Sequence, residues 1–297
     1  MSIKSSFSIK DLENLSGVKA HTIRIWEKRH KLLEPIRTDT NIRLYDHDNL
    51  RKILNVALLN DHGIKVSNIA ILSEEELYSK VQEIAIDTDA TDHALNSFKL
   101  SMLNFDTHLF NSTYNQLQAQ KSFREIFLQI FLKLLEQVGF LWLTKTITPA
   151  HEHFLFMLIK QKLLINIERV QANTTTDAKK TYVLFLPINE IHELGLLYIH
   201  FELLLKGYKS IYLGPSVPID DLEALQHTFK EIEFISYFTI EPAADNAEKY
   251  LEELHEKILK VRNENVHVIG RSANRLEDKM KPNIRVHDSI IKLLEKI

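Results

Sequence analysis

Apolar and polar residues follow two different rhythms along this chain. Up to about residue 170 the apolar residues recur every three or four positions, which is the spacing of amphipathic helices. Beyond the polar run at 171–180, short apolar runs each precede a helical stretch, and they read TYVLFLPI, SIYLG, EFISYF, VHVIG and NIRVH. Such alternation predicts right-handed crossovers and a parallel sheet covered on both faces. The chain therefore divides into an all-helical part and an α/β part.

The helical part contains three segments. Residues 1–75 carry short helical patterns broken by turn signals, residues 76–91 form an acidic helical connector, and residues 92–172 are helical throughout. Several helices of the third segment are apolar on more than one face, which indicates a packed four-helix bundle. Their predicted bounds are 92–103, 105–119, 122–144 and 149–170.

Residues 180–297 form the α/β part, which suits a five-stranded Rossmann-like or flavodoxin-like domain. Ligands of such folds bind at the carboxyl ends of the strands, near the topological switch point. A site is therefore expected in the loops after the first, third and fourth strands. The predicted fold class is a multi-domain protein with α and α/β parts.

The first segment has the pattern of two helices joined by a tight turn, because Ile9, Leu12 and Leu15 give one helix an apolar side and Gly17 follows it. A second helix begins near residue 20.

This second helix is built to expose its first turn. Since Ile23 and Trp26 face inward, the side chains left near the exposed N-terminal end are His21, Thr22 and Arg24. A recognition helix presents its first turn to the major groove in this way. Many helical hairpins bind no DNA, so the pattern alone leaves a purely structural role open.

Residues 35–45 follow as a hairpin-like wing. Its Arg37, Arg43 and Tyr45 suit contacts to phosphates, which set affinity and register rather than sequence choice. Arg29 completes the predicted DNA-binding set.

Composition narrows the function classes. Residues 1–72 hold 12 Lys/Arg against 8 Asp/Glu, although the whole chain has a net charge of −3. A basic head on an acidic body attracts phosphate at one end only. The chain has no cysteine, which excludes disulfides and Cys-ligated zinc and fits a cytoplasmic protein. No stretch approaches the ~20 apolar residues of a membrane span.

Four motifs in the first segment closely resemble the MerR family of transcription regulators. They read I-x-x-L-x-x-L-S-G-V, T-I-R-I-W-E-K-R, L-L-x-P-x-R-T and R-L-Y, and they cover about 65 residues. The resemblance implies a winged helix-turn-helix that binds double-stranded operator DNA. The R-I-W-E form resembles the subgroup with cobalamin-binding-like C-terminal domains, and the lack of cysteine argues against metal sensing.

The loop after the first predicted strand of the sheet contains a candidate metal ligand. His192 can ligate a metal centre over the sheet edge, and Glu190 can accept the other imidazole N–H, which fixes the tautomer. Gly195 allows a bulky planar ligand close to the backbone. A loop histidine with a carboxylate for solvation is the plain alternative. The motif resembles the D-x-H-x-x-G signature of base-off, His-on cobalamin binding, with Glu for Asp, which implies that His192 ligates cobalt.

A second motif lies in the predicted bundle. Trp142, followed after nine residues by Glu152 and His153, resembles the W-x9-E-H pattern of light-responsive, adenosylcobalamin-binding MerR regulators. The resemblance implies that Trp142 packs against the upper axial group and that Glu152 and His153 line the adenosyl pocket. Without the resemblance, Trp142 would be core, and Glu152 and His153 the first turn of a helix after Pro149.

Some positions follow this resemblance and others depart from it. Ser236 and Gly270 match the family's third-strand serine and the first glycine of its fourth-strand pair, but Arg271 replaces the second glycine. Light-sensing members have a histidine directly after the tryptophan, where this chain has Leu143, and leucine cannot cap cobalt after photolysis. The nearest candidates to substitute are His151 and His153.

The sequence thus predicts a non-enzymatic repressor, a homodimer or homotetramer, whose DNA affinity is set by adenosylcobalamin. The resemblance adds light as a signal, although Leu143 departs from the light-sensing members at the position that captures cobalt. A cofactor-free regulator whose C-terminal domains make only protein–protein contacts is the alternative. A corrinoid enzyme or methyl carrier is disfavoured by the fused DNA reader. We expect no membrane association.

Overall fold

The computed structural model describes residues 6–38, 41–87, 91–144, 146–173, 180–243, 246–270, 272–273 and 281–297. The chain falls into two compact units, Met1–Ile159 and Lys160–Ile297. The first unit holds the predicted DNA-binding head and most of the bundle, and the second unit holds the α/β part. Among the described helices, none combines the length and the apolar character that a membrane-spanning segment requires.

The head contains the predicted helical pair, the wing and a longer third helix. Its first helix begins after Ser8 because Ser8 and Asp11 form a capping box, in which each backbone N–H donates to the other residue's side chain, at 2.8 and 3.1 Å. Gly17 ends that helix in the left-handed conformation, with φ 77°. The elements are α1 (Ile9–Ser16), α2 (Ala20–His30), β1 (Ile36–Arg37), β2 (Arg43–Leu44), α3 (His47–Asp61), α4 (Val66–Ile69) and α5 (Glu74–Asp87).

The bundle has the four predicted helices, but the third is not a uniform α-helix. A π-helical turn over Phe127–Phe131 joins two α-helical pieces of it. The aromatic core includes Phe98, whose ring centroid lies 4.9 Å from Phe110 and 5.6 Å from Phe131. The elements are α6 (Thr91–Asn104), α7 (Thr107–Gln118), α8 (Phe123–Ile126), the π-turn, α9 (Leu132–Leu143) and α10 (Pro149–Asn173). The last helix ends three residues beyond the predicted 170.

The α/β unit is built on a five-stranded, fully parallel sheet, as predicted. Its strands are β3 (Lys180–Phe185), β4 (Lys209–Gly214), β5 (Glu231–Tyr237), β6 (Asn265–Ile269) and β7 (Ile284–His287), in the order β4-β3-β5-β6-β7. The chain runs from β3 outward to β4 and then returns to β5 on the other side. The carboxyl ends of β3 and β5 therefore frame the switch point, where ligands of this architecture bind.

Helices cover the sheet, with α11 (Leu194–Leu205) and α15 (Ile290–Lys296) among them. The other helical elements are a 3-10 turn (Ile219–Leu222), α12 (Glu223–Thr228), α13 (Ala247–Leu254), a π-turn (His255–Leu259) and α14 (Lys260–Arg262). One apolar cluster joins Val183, Phe234 and Val266 of the sheet to Leu251 and Leu254 of α13. Burial of this kind is the main stabilising contribution to the domain.

Candidate cofactor site and DNA-reading surface

The start of α2 carries the side chains predicted to read bases. His21 and Arg24 are exposed and Thr22 is half-buried, while Ile23 is fully buried and anchors the helix. Trp26, predicted to face inward, is half-buried. The first turns of α2 thus offer polar side chains at a surface, as a recognition helix requires. Further along the same helix, Arg29 is exposed as well.

The wing presents Arg37 at the surface, but it uses Arg43 and Tyr45 differently. Arg43 Nε donates to both carboxylate oxygens of Glu27, at 3.0 and 3.1 Å, and the Tyr45 hydroxyl donates to Glu27 Oε2 at 3.0 Å. Tyr45 is only 1% exposed, and burial beside Glu27 raises its pKa. The predicted phosphate contact of Tyr45 is therefore wrong, because this residue is a core side chain that holds Glu27.

The loop after β3 is organised by the carboxylate of Glu190, which is 1% exposed. Oε1 accepts hydrogen bonds within its own loop, and Oε2 accepts from the loop after β5. The donors to Oε1 are the backbone N–H groups of Ile191 and His192, both at 2.9 Å, and His192 Nδ1 at 2.6 Å. The donors to Oε2 are the backbone N–H groups of Thr239, Ile240 and Glu241, at 3.1, 2.7 and 2.9 Å.

These donors decide the charge of Glu190. Burial alone would raise its pKa, but the hydrogen bonds from His192 and from the backbone amides of Ile240 and Glu241 lower it to about 2. An ionised carboxylate can only accept, so Nδ1 of His192 carries the proton on that bond. In the neutral imidazole the lone pair is therefore on Nε2, which is the tautomer a metal ligand needs.

A second carboxylate anchors the loop on its other side. Glu193, next to His192, accepts from Lys160 Nζ at 2.5 Å and from the Tyr212 hydroxyl at 2.7 Å. Lys160 lies on α10 and Tyr212 on β4, so these bonds fix Glu193 to two further elements. His192 therefore lies in the sequence between two carboxylates, Glu190 and Glu193, that are both held by hydrogen bonds. The ring itself keeps 37% of its side-chain surface exposed.

Three exposed isoleucines lie in the two loops that Glu190 joins. Ile188 and Ile191 lie in the loop after β3, Ile240 lies in the loop after β5, and they are 50, 59 and 57% exposed. Because Glu190 bonds to the backbone of both loops, the three side chains lie in joined loops, and we call them the apolar rim. Clustered exposed apolar groups at such a place mark a binding surface. This rim was not predicted, because only the shared contacts of Glu190 bring the loops together.

Two of the residues predicted to contact the cofactor have packing contacts in the structure. A Cβ on Gly195 would lie 2.8 Å from Cε2 of Tyr237, so the ring of Tyr237 fills the space expected for a planar ligand. Ser236 has no exposed surface, and its hydroxyl donates to the Phe185 carbonyl at 2.9 Å. Both residues serve the packing of β5 against its neighbours.

The backbone conformation at position 270 requires a glycine. Its φ of 116° is left-handed, and a Cβ there would lie 2.2 Å from the carbonyl oxygen of Phe238. The glycine thus lets the loop after β6 approach the loop after β5. Arg271, which follows it, lies outside the described residues.

In the first unit, the residues of the tryptophan motif flank the α9–α10 loop. Trp142 is in the last turn of α9 and is 48% exposed, so the alternative that it is a core side chain is wrong. Glu152 and His153 lie in the first turn of α10, half-buried and exposed respectively. The helix containing Leu143 is described but its side chain is not.

His151, one of the two histidines considered as a substitute cobalt ligand, is only 2% exposed. Its Nδ1 accepts from the Thr148 backbone N–H at 3.2 Å, and its ring stacks on Phe105 at 4.8 Å. The neutral ring consequently carries its proton on Nε2, which disfavours metal ligation. Phe105 itself has a positive φ of 53°, which is uncommon for a bulky residue.

Sequence reasoning missed a polar chain inside the sheet. Lys180 Nζ contacts Glu233 Oε1 at 2.9 Å, Glu233 Oε2 contacts His267 Nε2 at 3.3 Å, and His267 Nδ1 contacts His287 Nε2 at 2.8 Å. The strand register explains this polar chain. Each side chain contacts the residue that lies two positions beyond its own paired residue on the next strand. It therefore runs diagonally across four strands.

This polar chain makes the α/β unit sensitive to acid. Burial lowers the pKa of His287 to about 4, and hydrogen bonds from His267 and Lys180 overcome burial to lower the pKa of Glu233 to about 2. The unfolded chain binds more protons than the folded one once the pH falls below the ordinary histidine value of 6.5. We expect the free energy of unfolding of this unit to decrease from there down to about pH 4, and Glu233 to extend the loss at lower pH.

Hydrogen exchange of the β5–β7 amides at several pH values measures this loss. Replacing His287 with leucine should flatten the pH dependence in the histidine range, whereas His227→Leu, at an exposed position of the same unit, should not. An unchanged slope in His287→Leu would contradict the assignment.

Two segments of the chain match known protein families. Residues 7–76 match the family described as MerR HTH family regulatory protein, and residues 94–165 match the family described as B12 binding domain. The chain is 27% identical over 224 residues to the HTH-type transcriptional repressor CarH of Myxococcus xanthus, which is 73% of each protein. It is 23% identical over 217 residues to the repressor CarA of the same organism, which is 72% of this chain and 70% of that one.

A solved structure shows a similar fold. The monomethylamine corrinoid protein of Methanosarcina barkeri superposes with a TM-score of 0.56 at 12% identity, over 70% of this chain and all of that protein. CarH and CarA are transcriptional repressors rather than enzymes. This agrees with the prediction of a non-enzymatic regulator, which was based on the DNA-binding segment. The chain therefore carries a MerR-type helix-turn-helix domain and a B12-binding domain, and it is a transcriptional regulator controlled through B12.

Proposed function

We propose that adenosylcobalamin is the form of B12 that controls this regulator, and that His192 would hold its cobalt through Nε2. The observation that carries the proposal is the hydrogen bond from His192 Nδ1 to the ionised Glu190, which leaves the lone pair on Nε2. The apolar rim of three isoleucines supports a broad, flat ligand over this histidine. The cofactor when bound supplies a cobalt–carbon bond that light can cleave.

The residues named above have different proposed roles. Glu190 orients the imidazole and joins the two loops, while the rim residues exclude water beneath the ligand. Trp142, Glu152 and His153 are proposed to contact the upper axial group, and the half-exposed indole has the surface for it. We propose that the bound cofactor stabilises a homodimer or homotetramer with paired DNA-reading heads, and that the chain acts as a repressor.

The test is the visible spectrum of the full chain mixed with adenosylcobalamin in the dark. A spectrum of cobalamin with a protein imidazole in place of its own base, together with a larger assembly on size exclusion, supports the proposal. Free cofactor after gel filtration would overturn it. That result would favour the alternative, a regulator whose C-terminal domains make protein–protein contacts only.

Leucine at position 143 is expected to weaken the response to light. This side chain has no lone pair with which to hold cobalt after the cobalt–carbon bond breaks, and His151 is buried with its proton on Nε2. We therefore expect no stable second imidazole ligand through position 143, and a smaller change in oligomeric state. Illumination of the complex, compared with the Leu143→His variant, measures both. A stable bis-imidazole spectrum in the unaltered protein that survives His151→Ala and His153→Ala would contradict this.

The head is expected to separate base reading from phosphate contacts. Arg24→Ala should cost about 1–3 kcal/mol on the preferred base pair and relax the preference there, and Thr22→Ala should also change base preference. Arg43→Ala should weaken all sequences alike and lower the salt dependence, and it would also leave Glu27 without its paired cation. Arg37→Ala is the matched wing control. The measurement is the affinity of each variant for a panel of duplexes at several salt concentrations. Equal losses of affinity on every sequence for Arg24→Ala would contradict the separation of base reading from phosphate contacts.

A further inference from the structure

The DNA-binding head and the turn that carries Trp142 are joined by hydrogen bonds within the first unit. Asn14 of α1 donates from Nδ2 to Thr146 Oγ1 at 3.0 Å. Thr146 Oγ1 lies 2.9 Å from Thr144 Oγ1, and Thr144 Oγ1 donates to the carbonyls of Phe140 and Leu141, at 3.0 and 3.1 Å. Thr146 Oγ1 thus accepts from Asn14, and either hydroxyl can be the donor between Thr146 and Thr144. We call these three side chains the junction relay.

The relay ends on the last turn of α9. Phe140 and Leu141 supply the accepting carbonyls, and Trp142 is the next residue along the same turn. Thr146 is fully buried, whereas Asn14 is half-buried and Thr144 is exposed, so the relay leads through a buried hydroxyl to the surface. A buried hydroxyl such as that of Thr146 favours one arrangement, because a displaced partner would leave it unsatisfied.

A second contact holds the same helix of the head. Lys99 of α6 is 7% exposed, and its Nζ donates to the carbonyl of Leu15 at 3.0 Å. A cation at the C-terminal end of α1 is favourable for the helix dipole. Lys99 thus keeps the head attached at a point that is separate from the relay.

The junction also contains room for movement. A cleft of about 420 Å³ lies between α1 and the bundle, with Asn14, Lys99 and Phe140 among its lining residues. Phe140 is 53% exposed there. A shift of α9 towards α1 would close the cleft and bury Phe140.

We propose that Asn14 and Thr146 are positioning residues that couple the Trp142 turn to the DNA-reading head. A ligand that presses on Trp142 displaces the last turn of α9, and the relay carries that displacement to α1, whose partner α2 reads DNA. This inference rests on the proposed contact between the cofactor and Trp142. Coupling is reciprocal, so DNA on the head must also alter the surroundings of Trp142, with or without cofactor.

The experiment uses the full chain with 5-fluorotryptophan at both tryptophans, Trp26 and Trp142. The Trp142 resonance is identified by its loss in Trp142→Phe, and a duplex DNA is titrated at low salt without cofactor. We expect the Trp142 resonance to shift in the unaltered protein, and the shift to fall to less than about half in Thr146→Val. DNA affinity is measured by anisotropy in the same samples, so that every comparison is made at saturation.

A matched control and a second variant keep the test decisive. Thr113→Val makes the same change at a buried threonine whose hydroxyl donates only to Leu109, at 2.8 Å, and it should keep the full shift. Asn14→Leu removes the hydrogen bond on the head side of the relay and should reduce the Trp142 shift in the same way. It takes the place of Thr146→Val if that variant does not fold. A Trp142 shift that survives both relay variants, or is missing from the unaltered protein, overturns the proposal.

The cofactor then tests the coupling in the other direction. In Thr146→Val, adenosylcobalamin should still give its bound spectrum, while the change it causes in the DNA dissociation constant should shrink by about fivefold. If the unaltered protein binds no cobalamin, the proposed function fails, and the fluorine result still decides whether the relay exists.

Discussion

Replacing His192 with alanine is expected to abolish tight binding of adenosylcobalamin. The geometry gives the histidine a lone pair on Nε2 at the switch point, held by a 2.6 Å bond from Nδ1 to Glu190. Loss of a residue that merely orients a metal ligand costs 10–100-fold in affinity, so loss of the ligand should cost at least about 100-fold. Any cofactor that still binds should show the spectrum of a base-on or water-ligated form.

Titration calorimetry and the visible spectrum in the dark measure the two effects. His227→Ala, at an exposed position of the same unit, is the matched control and should bind as the unaltered protein does. Because the His192 ring is partly exposed, free imidazole should restore part of the spectrum in His192→Ala. Unchanged affinity and spectrum in His192→Ala would assign this histidine to ordinary loop surface.

Replacing Glu190 should damage both the loops and the ligand. Alanine would leave the donors of two loops without an acceptor, which should destabilise this edge of the sheet by on the order of 3 kcal/mol. Glutamine has nearly the same shape, but whichever way its amide turns, the NH2 group meets N–H donors. If that group faces His192, it donates to Nδ1, the ring proton moves to Nε2, and the metal lone pair is lost.

Hydrogen exchange is expected to distinguish the two Glu190 variants from His192→Ala. Glu190→Ala and Glu190→Gln should increase hydrogen exchange at Thr239, Ile240 and Glu241, in the loop after β5, whereas His192→Ala should change it little. Glu190→Asp restores the residue of the family signature, yet its shorter side chain should fail to reach both loops. Full protection of the loop after β5 in Glu190→Gln would contradict the role assigned to this carboxylate.

The elements of this fold are local and could be predicted. The helices of the head have start and stop signals such as Ser8 and Gly17, and the five strands are apolar runs bounded by polar turns. The strand alternation implied a parallel sheet, which the structure confirms. The pairing of Glu190 with His192 was predicted as well, since the two residues lie only two positions apart.

The remaining features depend on contacts between distant residues. Nothing local indicates that Glu190 also bonds the backbone 49–51 positions further along, or that Tyr237 covers Gly195. Tyr45 was assigned to phosphate because it follows Arg43 in a wing, and only the structure shows its hydroxyl on Glu27. The polar chain ending at His287 needs the register of four strands, which no single apolar run contains.

The π-helical turn at Phe127–Phe131 controls the direction of everything that follows it on the same helix. A π-turn bonds each N–H to the carbonyl five residues back instead of four, so it holds one residue more than a regular turn. Each residue of an α-helix turns the chain by about 100°. Deleting one residue from this segment would leave a continuous α-helix and would rotate the indole of Trp142 by about 100° relative to α8. The orientation of that ring is thus set by the number of residues in a segment eleven positions away, so a relative with the same tryptophan but one residue fewer here would present it to a different neighbour.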